Sequence, residues 1–256
     1  MTARPTAPPS PSTPAGQSLG AMPCYASSCG RVTLYLGDSL EIAPMLQGVD
    51  ALISDPPYGI DYSPDRCRAK PRRKNAAIFN REWEKVGGDD VPFDPSPWLG
   101  YSVAVIWGGN NYTDKLPNGG WLVWNKQRAK GFVGSGAEMA WTNTINGAQI
   151  FDLMWDGFRR GAEVNEHYHP TQKPVSLMAW CMDKAKVPEG ATVLDPYMGS
   201  GSTGIACIRT GRRFIGIEKD PTHYATALER ITNELRQGDL FHSQHNTPAQ
   251  EGESLS

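Results

Sequence analysis

The segment that most restricts the fold of this chain is a short apolar strand followed by a glycine-rich turn and a helix. Gly199, Gly201 and Gly204 lie in this turn and in the first residues of the helix. Glycine lets the backbone pass close to a ligand, and the start of a helix presents free N–H groups. The next strand, residues 214–217, ends at Glu218, whose carboxylate can bind both hydroxyls of a ribose. The unit predicts an α/β fold that binds a ligand containing ribose and adenine.

The position of this unit in the chain argues against a dinucleotide dehydrogenase. Only 38 residues follow Glu218, too few for a second nucleotide-binding half. The other strands must therefore come from upstream, and the sheet is predicted to be circularly permuted. The plainer alternative is a turn whose glycines have a purely structural role. The succession of strand, turn, helix, strand and acid disfavours it.

The rest of the chain alternates apolar runs with amphipathic segments. Strands are predicted at residues 32–36, 49–53, 103–107, 121–124, 138–141, 149–155, 192–194 and 214–217. Helices are predicted after the N-cap Ser39, at residues 174–185, from the glycine-rich turn to residue 210, and after the N-cap Asp220. Because strands alternate with helices, we expect an α/β fold with a mostly parallel sheet covered on both faces.

Both ends of the chain are predicted to be disordered tails. Residues 1–28 are rich in Pro, Ser, Thr and Ala, and residues 237–256 are polar and aperiodic. Such segments cannot bury enough apolar surface to offset the entropy lost on ordering. One folded domain, residues 29–236, lies between them.

Composition excludes several classes of protein. The net charge of −2 excludes a generally basic protein, so any affinity for nucleic acid must come from a local patch. The five cysteines lack C-x-x-C spacing, which disfavours a disulfide framework or a structural zinc site. No apolar run resembles a signal peptide or is long enough to span a bilayer. We therefore expect a soluble, cytoplasmic protein that binds no metal and no membrane.

A proline-braced turn, Asp55-Pro56-Pro57-Tyr58, follows the buried run that ends at residue 53. Two prolines fix φ and remove two backbone donors, so the turn is rigid. In a parallel sheet, ligands bind at this end of a strand. The turn offers a carboxylate, the free carbonyl of Pro56 and an aromatic face, which together suit an aromatic amine. A stiffened loop with a half-buried tyrosine is the alternative without a ligand.

The chemistry of an aromatic amine explains these residue types. An exocyclic amino nitrogen is a poor nucleophile because its lone pair is conjugated with the ring. If Asp55 and the Pro56 carbonyl accept its two hydrogens, the nitrogen becomes more tetrahedral and can attack a methyl sulfonium in line. Tyr58 can stack on a base rotated out of its duplex. Positioning and electrostatics then supply the rate, without a covalent intermediate.

With these motifs in this order, the chain resembles the DNA amino-methyltransferases in their permuted, beta-class arrangement, from about residue 31 to residue 231. Asp55–Tyr58 matches the catalytic motif of that family, and residues 195–201 match its cofactor motif, with Tyr197 where Phe is usual. Residues 169–174 match the segment before the helix that caps the cofactor site. The resemblance implies a Rossmann-like methyltransferase fold with a seven-stranded sheet, and S-adenosylmethionine as cofactor.

The resemblance also implies which residues bind the cofactor. Asp38 corresponds to the acid that accepts from the cofactor adenine, and Thr171 and Lys173 are expected near its methionine carboxylate. The complete predicted cofactor-binding set is Asp38, Asp55, His169, Thr171, Lys173, Asp195, Pro196, Tyr197, Gly199, Ser200, Gly201, Ser202, Thr203, Glu218 and Lys219. A metal site at His167 and His169 is disfavoured because no carboxylate or cysteine lies at suitable spacing.

The acceptor is predicted to be adenine in DNA. Asp at position 55 is the commoner form for adenine in the family, whereas enzymes specific for the N4 amino group of cytosine more often have Ser there. An RNA base or a protein amide is a further alternative, but family members with those acceptors tend to have Asn at this position and to lack the permuted order. A catalytically silent DNA-binding module is the third class, and the intact Asp55 and Glu218 argue against it.

Double-stranded DNA is the predicted partner, and a basic segment past the catalytic motif is its predicted contact. The basic residues are Arg66, Arg68, Lys70, Arg72, Arg73, Lys74 and Arg81. In isolation such a run is as readily a solvated face, but its position favours phosphate contacts. Only residues 128–166 are available for target recognition, which suggests a short or relaxed target. The sequence leaves open a homodimer and a partner endonuclease of a restriction–modification system.

Overall fold

A nine-stranded sheet forms the centre of the part of the chain that the structure describes. The computed structural model describes residues 24–58, 91–128, 135–155 and 172–245. In chain order the strands are β1 (Cys24–Ala26), β2 (Val32–Leu36), β3 (Ala51–Ser54), β4 (Ala104–Trp107), β5 (Gly120–Asn125), β6 (Ala137–Thr142), β7 (Ala148–Asp152), β8 (Thr192–Asp195) and β9 (Arg213–Glu218). Across the sheet they follow the order β1-β2-β9-β8-β3-β4-β6-β5-β7.

The centre of the sheet is parallel, as predicted. Strands β2, β9, β8, β3 and β4 are parallel neighbours. β6 runs antiparallel to both β4 and β5, and β7 is parallel to β5. The α/β fold class is therefore confirmed, but the predicted number of seven strands is too low. Eight of the nine strands, including β7 at one edge of the sheet, lie at predicted strand positions, and only β1, at the other edge, lies at none.

The permuted order of the strands is also confirmed. β8 and β9, which flank the glycine-rich turn, come last in the chain but lie in the middle of the sheet, β8 next to β3 and β9 between β8 and β2. All four residues of β3 and of β4 are buried, as expected for strands covered on both faces. Because β3 and β8 are parallel, their carboxyl ends lie at the same end of the sheet. That end of the sheet carries the site.

Helices and helical turns cover the two faces. The helices are α1 (Ser39–Ile42), α2 (Val175–Lys184), α3 (Ser202–Arg209) and α4 (Pro221–His245). Residues of α2, α3 and α4 pack on one face with Val193, Leu34 and Trp107. On the other face, residues of α1 and the segment 93–98 pack against Leu52 and Ile106. Within the described ranges, no helix is both long and apolar enough to cross a bilayer.

Three local boundaries differ from the expectations. β1 lies inside the predicted tail 1–28, because its three residues pair with β2 in a segment too short to show a strand pattern. α4 passes the predicted domain end at 236 and continues to His245. Its last turns are mostly polar in sequence and lack the apolar spacing from which the helix was predicted. Asp38, not Ser39, caps α1, since its carboxylate accepts from the Leu40 N–H at 2.9 Å.

Candidate active site

The Asp55–Tyr58 turn and the glycine-rich turn lie side by side at the carboxyl ends of the central strands. We call residues 55–58 the catalytic turn, after their predicted role, and residues 196–201 the glycine loop. β3 and β8 are paired in parallel, with Leu52 opposite Leu194, so the two turns leave the sheet next to each other. Ser54 Oγ donates a hydrogen bond of 2.7 Å to Asp195 Oδ1. The predicted base-binding and cofactor-binding turns therefore share one rim.

Asp195 organises the glycine loop through both of its oxygens. Oδ1 also accepts from the Tyr197 N–H at 3.1 Å, and Oδ2 accepts from Thr203 Oγ1 at 2.6 Å. The residue is 2% exposed. Burial raises the pKa of Asp195 to about 6, against the opposing effect of the hydrogen bonds from Thr203 and Ser54. Asp195 thus acts on the loop itself, and its predicted contact with a cofactor stays a prediction.

The glycines of the glycine loop and of the first turn of α3 have two different roles. Gly199 and Gly201 have φ angles of 51° and 82°, which residues with side chains rarely adopt. A Cβ on Gly199 would point into open space. A Cβ on Gly204 would lie 2.7 Å from side-chain atoms of Ile231 and Phe214. Gly204 therefore lets α3 pack closely, whereas Gly199 leaves the inner side of the loop open to a ligand.

Glu218 holds the far side of the glycine loop. Its Oε2 accepts from the Gly199 N–H at 3.0 Å, and its Oε1 accepts from the Asp220 N–H at 2.8 Å. Each carboxylate oxygen has a second lone pair, so the group can still accept from two hydroxyls. The predicted ribose contact is compatible with this geometry.

Asp38 and Lys219 form an ion pair next to Glu218. Leu36 and Glu218 are paired across β2 and β9, so the residues that follow them lie close together. Lys219 Nζ lies 3.0 Å from Asp38 Oδ2, and this hydrogen bond lowers the pKa of Asp38. The two predicted cofactor residues are thus in contact at the same carboxyl-terminal end of the sheet.

Asp55 belongs to a row of four charged side chains of alternating sign. Lys173 Nζ donates to Asp55 Oδ2 at 2.6 Å and lies 3.0 Å from Glu138 Oε2. Glu138 Oε1 in turn accepts from Lys126 Nζ. Asp55 Oδ1 is buried and has no hydrogen-bond partner among the described residues. Of the two Asp55 oxygens, one is thus held by a lysine and the other has no partner in the described part of the chain.

The electrostatics of this row follow from burial and pairing. Burial raises the pKa of Asp55, and Lys173 opposes that effect. Burial disfavours the charged form of Lys173, but Asp55 and Glu138 raise its pKa well above the usual value. Glu138 has a pKa lowered to about 2, because the two lysines outweigh the effect of burial. The contact of Lys173 with a methionine carboxylate remains a prediction, beside the observed contact with Asp55.

Tyr58 packs directly on a glycine of the neighbouring strand end. A Cβ on Gly108 would lie 2.3 Å from Tyr58 Cδ1, and Gly108 has a φ of 75°. Tyr112 lies in the same region and donates from its hydroxyl to the Trp107 carbonyl at 2.6 Å. On the other side of the rim, the Tyr197 ring contacts Phe93 and Trp98 edge to face, at 5.9 and 5.7 Å. A phenylalanine ring at position 197 could make the same edge-to-face contacts.

Several predicted site residues lie outside the described residues. These are His169, Thr171, Arg66, Arg68, Lys70, Arg72, Arg73, Lys74 and Arg81. The described members of the predicted set, from Asp38 to Lys219, lie on the catalytic turn, the glycine loop, or the strand and helix ends that flank them. In the segments that the structure covers, no three His, Cys, Asp or Glu side chains form a group that could hold a metal ion.

Three residues of the site were not predicted: Lys126, Glu138 and Arg230. Arg230 is 7% exposed and donates from Nη1 to the Ser200 carbonyl at 2.5 Å and to Ser200 Oγ at 3.1 Å. The sequence does contain a signal for Arg230, because this residue lies directly before Ile231, which belongs to the apolar stripe of α4. For Glu138, the signal is a charged residue at the start of an apolar strand. Neither signal names a partner.

Comparison with known proteins identifies the family. The N6_N4_Mtase family, described as DNA methylase, matches residues 123–229. The type II methyltransferase M2.DpnII of Streptococcus pneumoniae is 37% identical over 230 residues, which cover 73% of this chain and 84% of that protein. The type II methyltransferase M2.LlaDCHI of Lactococcus lactis subsp. cremoris is 34% identical over 86 residues, which are 34% of this chain and 32% of that protein.

A solved structure shares the fold. The PvuII DNA methyltransferase, described as cytosine-N4-specific, superposes with a TM-score of 0.51 at 14% identity, over 86% of this chain and 96% of that one. At this identity the likeness concerns the fold alone. Family membership follows from the match to M2.DpnII and from the family profile: this chain belongs to the DNA amino-methyltransferases of the N6-adenine/N4-cytosine type.

Proposed function

We propose that this methyltransferase transfers a methyl group from S-adenosylmethionine to the exocyclic amino nitrogen of adenine in double-stranded DNA. One observation carries the proposal. Asp55 Oδ1 is buried and has no hydrogen-bond partner among the described residues, while Lys173 holds Oδ2 at 2.6 Å. A buried acceptor without a partner is costly unless a ligand satisfies it. An amino group that donates to it suits this position.

The chain's own residues account for the acceptor half of the reaction. The target amino group donates one hydrogen to Asp55 Oδ1 and the other to the Pro56 carbonyl, which localises the lone pair on nitrogen. Tyr58, braced against Gly108, stacks on the flipped base. Methyl transfer would replace the sulfur–methyl bond of the sulfonium by a nitrogen–methyl bond and leave a neutral thioether, and the nitrogen would then carry a surplus proton. In the proposal Asp55, which already accepts from this nitrogen, takes that proton, and its raised pKa suits it to do so.

The open side of the glycine loop fits S-adenosylmethionine. A Cβ on Gly199 would meet nothing within 4 Å, and Ser202 Oγ is buried without a hydrogen-bond partner in the described ranges. In the proposal, Glu218 accepts from the ribose hydroxyls and Asp38 accepts from the adenine amino group. The other residues of the set are His169, Thr171, Lys173, Asp195, Pro196, Tyr197, Ser200, Gly201, Thr203 and Lys219. When bound, the cofactor supplies an electrophilic methyl group on a sulfonium.

Adenine is proposed over cytosine because Asp occupies position 55. The decisive experiment incubates the protein with isotopically labelled S-adenosylmethionine and DNA, and identifies the modified nucleoside by mass spectrometry. We expect labelled N6-methyladenine, and none with Asp55→Ala. Labelled N4-methylcytosine would replace the base assignment and keep the chemistry. Label in RNA or protein, or no label at all, would overturn the proposal.

Site-specific methylation within a restriction–modification system, a cytoplasmic location and a homodimer complete the proposed setting. The type II relatives support the first of these. The region 128–166 supports a short or relaxed target, because little chain is available for base contacts. Mapping of methylated positions on genomic DNA tests the target, and a long, strict site would contradict it. Light scattering of the purified protein tests the dimer.

A further inference from the structure

The row Asp55–Lys173–Glu138–Lys126 brings together side chains from four separate places in the sequence. Asp55 follows β3, Lys173 lies two residues before α2, Glu138 is in β6 and Lys126 follows β5. Lys173 bridges the two carboxylates, at 2.6 Å from Asp55 Oδ2 and 3.0 Å from Glu138 Oε2. Lys126 closes the row on the other oxygen of Glu138. Two positive and two negative groups leave the row without net charge.

The burial of this row indicates a role other than stabilising the fold. The side chains of Lys173 and Lys126 are 5% and 9% exposed, and those of Asp55 and Glu138 are 20% and 25% exposed. Replacing a buried ion pair by apolar residues is often neutral or stabilising, so such pairs are weak stability devices. A row of this kind at the rim of a site can instead fix the orientation of a reacting group.

The sheet holds the far end of the row rigidly. Glu138 is opposite Trp124 in the β5–β6 ladder. The Lys126 N–H donates to the Gly136 carbonyl at 2.9 Å, and the Lys126 carbonyl accepts from the Trp155 N–H at 3.1 Å. Lys126 Nζ also lies 4.9 Å from the centroid of the Trp124 ring. Asp55, by contrast, lies on a turn whose prolines fix the backbone but not the torsions of the Asp55 side chain. The rigid end can therefore impose its geometry on the turn through Lys173.

We propose that Glu138, held in place by Lys126, is a positioning residue that anchors Lys173 so that Asp55 keeps Oδ2 engaged and Oδ1 directed to the target amino group. This inference rests on the proposed role of Asp55 as the amino acceptor. Without Glu138, the Lys173 ammonium loses one of the two carboxylates that contact it in the described part of the chain, and Asp55 is the one that remains. Asp55 is then a weaker acceptor and a less well oriented one.

The charges of the row give this proposal a signature that a merely structural role lacks. The negative charge of Glu138 raises the pKa of Asp55, and the positive charge of Lys126 lowers it. In Glu138→Gln, Asp55 therefore titrates at lower pH than in the wild type. In Lys126→Met, it titrates at higher pH. The two variants shift the same midpoint in opposite directions.

The experiment measures this midpoint and the rate separately. The carboxyl carbon of Asp55, assigned by comparison with Asp55→Asn, is titrated by 13C NMR in the wild type, Glu138→Gln and Lys126→Met. We expect opposite shifts, and a kcat for methyl transfer lowered roughly 10-fold in both variants, as for other residues that orient a reacting group. The KM for S-adenosylmethionine is expected to change by less than about 3-fold, because binding of the cofactor is not what these residues control.

Controls separate this proposal from the proposed function. Glu234→Gln removes a carboxylate that pairs with Arg209 at 2.8 Å, away from the rim, and should leave the midpoint and kcat unchanged. Glu138→Asp keeps the charge and should recover most of the wild-type midpoint. Because the NMR midpoint needs no turnover, unchanged midpoints in both variants would overturn the positioning role whether or not the protein methylates DNA. A wild type that does not methylate an amino base instead overturns the proposed function. If Glu138→Gln does not fold, Lys126→Met alone decides.

Discussion

Ser54 and Asp195, 141 positions apart in the sequence, are joined by a buried hydrogen bond of 2.7 Å from the serine hydroxyl to Asp195 Oδ1. Ser54 is the last residue before the catalytic turn, and Asp195 is the last residue before the glycine loop. The bond therefore sets the distance between the proposed amino acceptor and the proposed cofactor site. The two turns are far apart along the chain, and only the sheet brings them together.

Loss of this bond should weaken both the fold and the coupling of the two turns. In Ser54→Ala, the buried Asp195 carboxylate loses one donor, and we expect the free energy of unfolding to fall by about 1–3 kcal/mol. Binding of S-adenosylmethionine, measured by calorimetry, should weaken several-fold because the glycine loop shifts. Ser102→Ala is the matched control, since that exposed hydroxyl donates to the Asp50 carbonyl at 3.2 Å at the opposite edge of the sheet. Equal effects of the two variants would contradict the coupling.

The raised pKa of Asp195 predicts a pH dependence of stability. Burial raises it to about 6 from the usual 3.8, so the folded protein binds a proton more tightly than the unfolded chain does. This group therefore stabilises the fold below about pH 4, and that contribution is lost as the pH rises through 6, by about 3 kcal/mol in total. Asp195→Asn cannot titrate. Between pH 4 and pH 7, urea unfolding should show the variant gaining about that amount relative to the wild type. Parallel stability curves would rule this out.

Gly108 should be required for the position of Tyr58. In Gly108→Ala the new Cβ lies 2.3 Å from the tyrosine ring, so the ring must move away from the base-stacking position. We expect kcat to fall at least about 10-fold, because the flipped base is no longer held in line. Gly190→Ala is the control, since Gly190 has a similar φ of 77° but open space around its Cβ. Gly190→Ala should lower the melting temperature about as much as Gly108→Ala does, because both place a side chain at a positive φ, and it should leave kcat unchanged.

The features that the sequence predicted are those that local pattern determines. β4 is apolar throughout and β3 is apolar up to its last residue, Ser54, because both faces of these strands are covered, and that pattern is visible without a partner strand. The glycine loop and the catalytic turn were predicted because glycine and proline restrict the backbone in ways that need no tertiary contact. Asp220 was correctly predicted as an N-cap, and its carboxylate accepts from the Thr222 and His223 N–H groups at 2.7 and 2.9 Å.

The features that the sequence missed depend on strand pairing. Glu138 faces Lys173 only because β6 is antiparallel to β4 and β5, and no spacing in the sequence encodes that register. β1 was assigned to a tail because three residues are too few for alternation to show. Arg230 lies between Glu229 and Ile231 in the sequence, and its buried partner Ser200 is 30 residues away. Such long-range pairs of polar groups need a structure.

The basic segment after the catalytic turn should supply phosphate contacts. Neutralising Arg72, Arg73 and Lys74 together should weaken DNA binding and reduce the slope of log K against log salt concentration by up to about 0.9 for each phosphate that the protein no longer neutralises. The matched control neutralises Lys184, Lys186 and Arg213, which lie near the end of α2 and the start of β9, at the edge of the sheet opposite the site. The control has the same net charge, so a general effect of charge on DNA affinity would appear in both proteins. If the slope falls equally in both, the charge of the whole protein governs binding. If the slope falls in the first variant alone, the segment that follows the catalytic turn in the sequence contacts the DNA backbone.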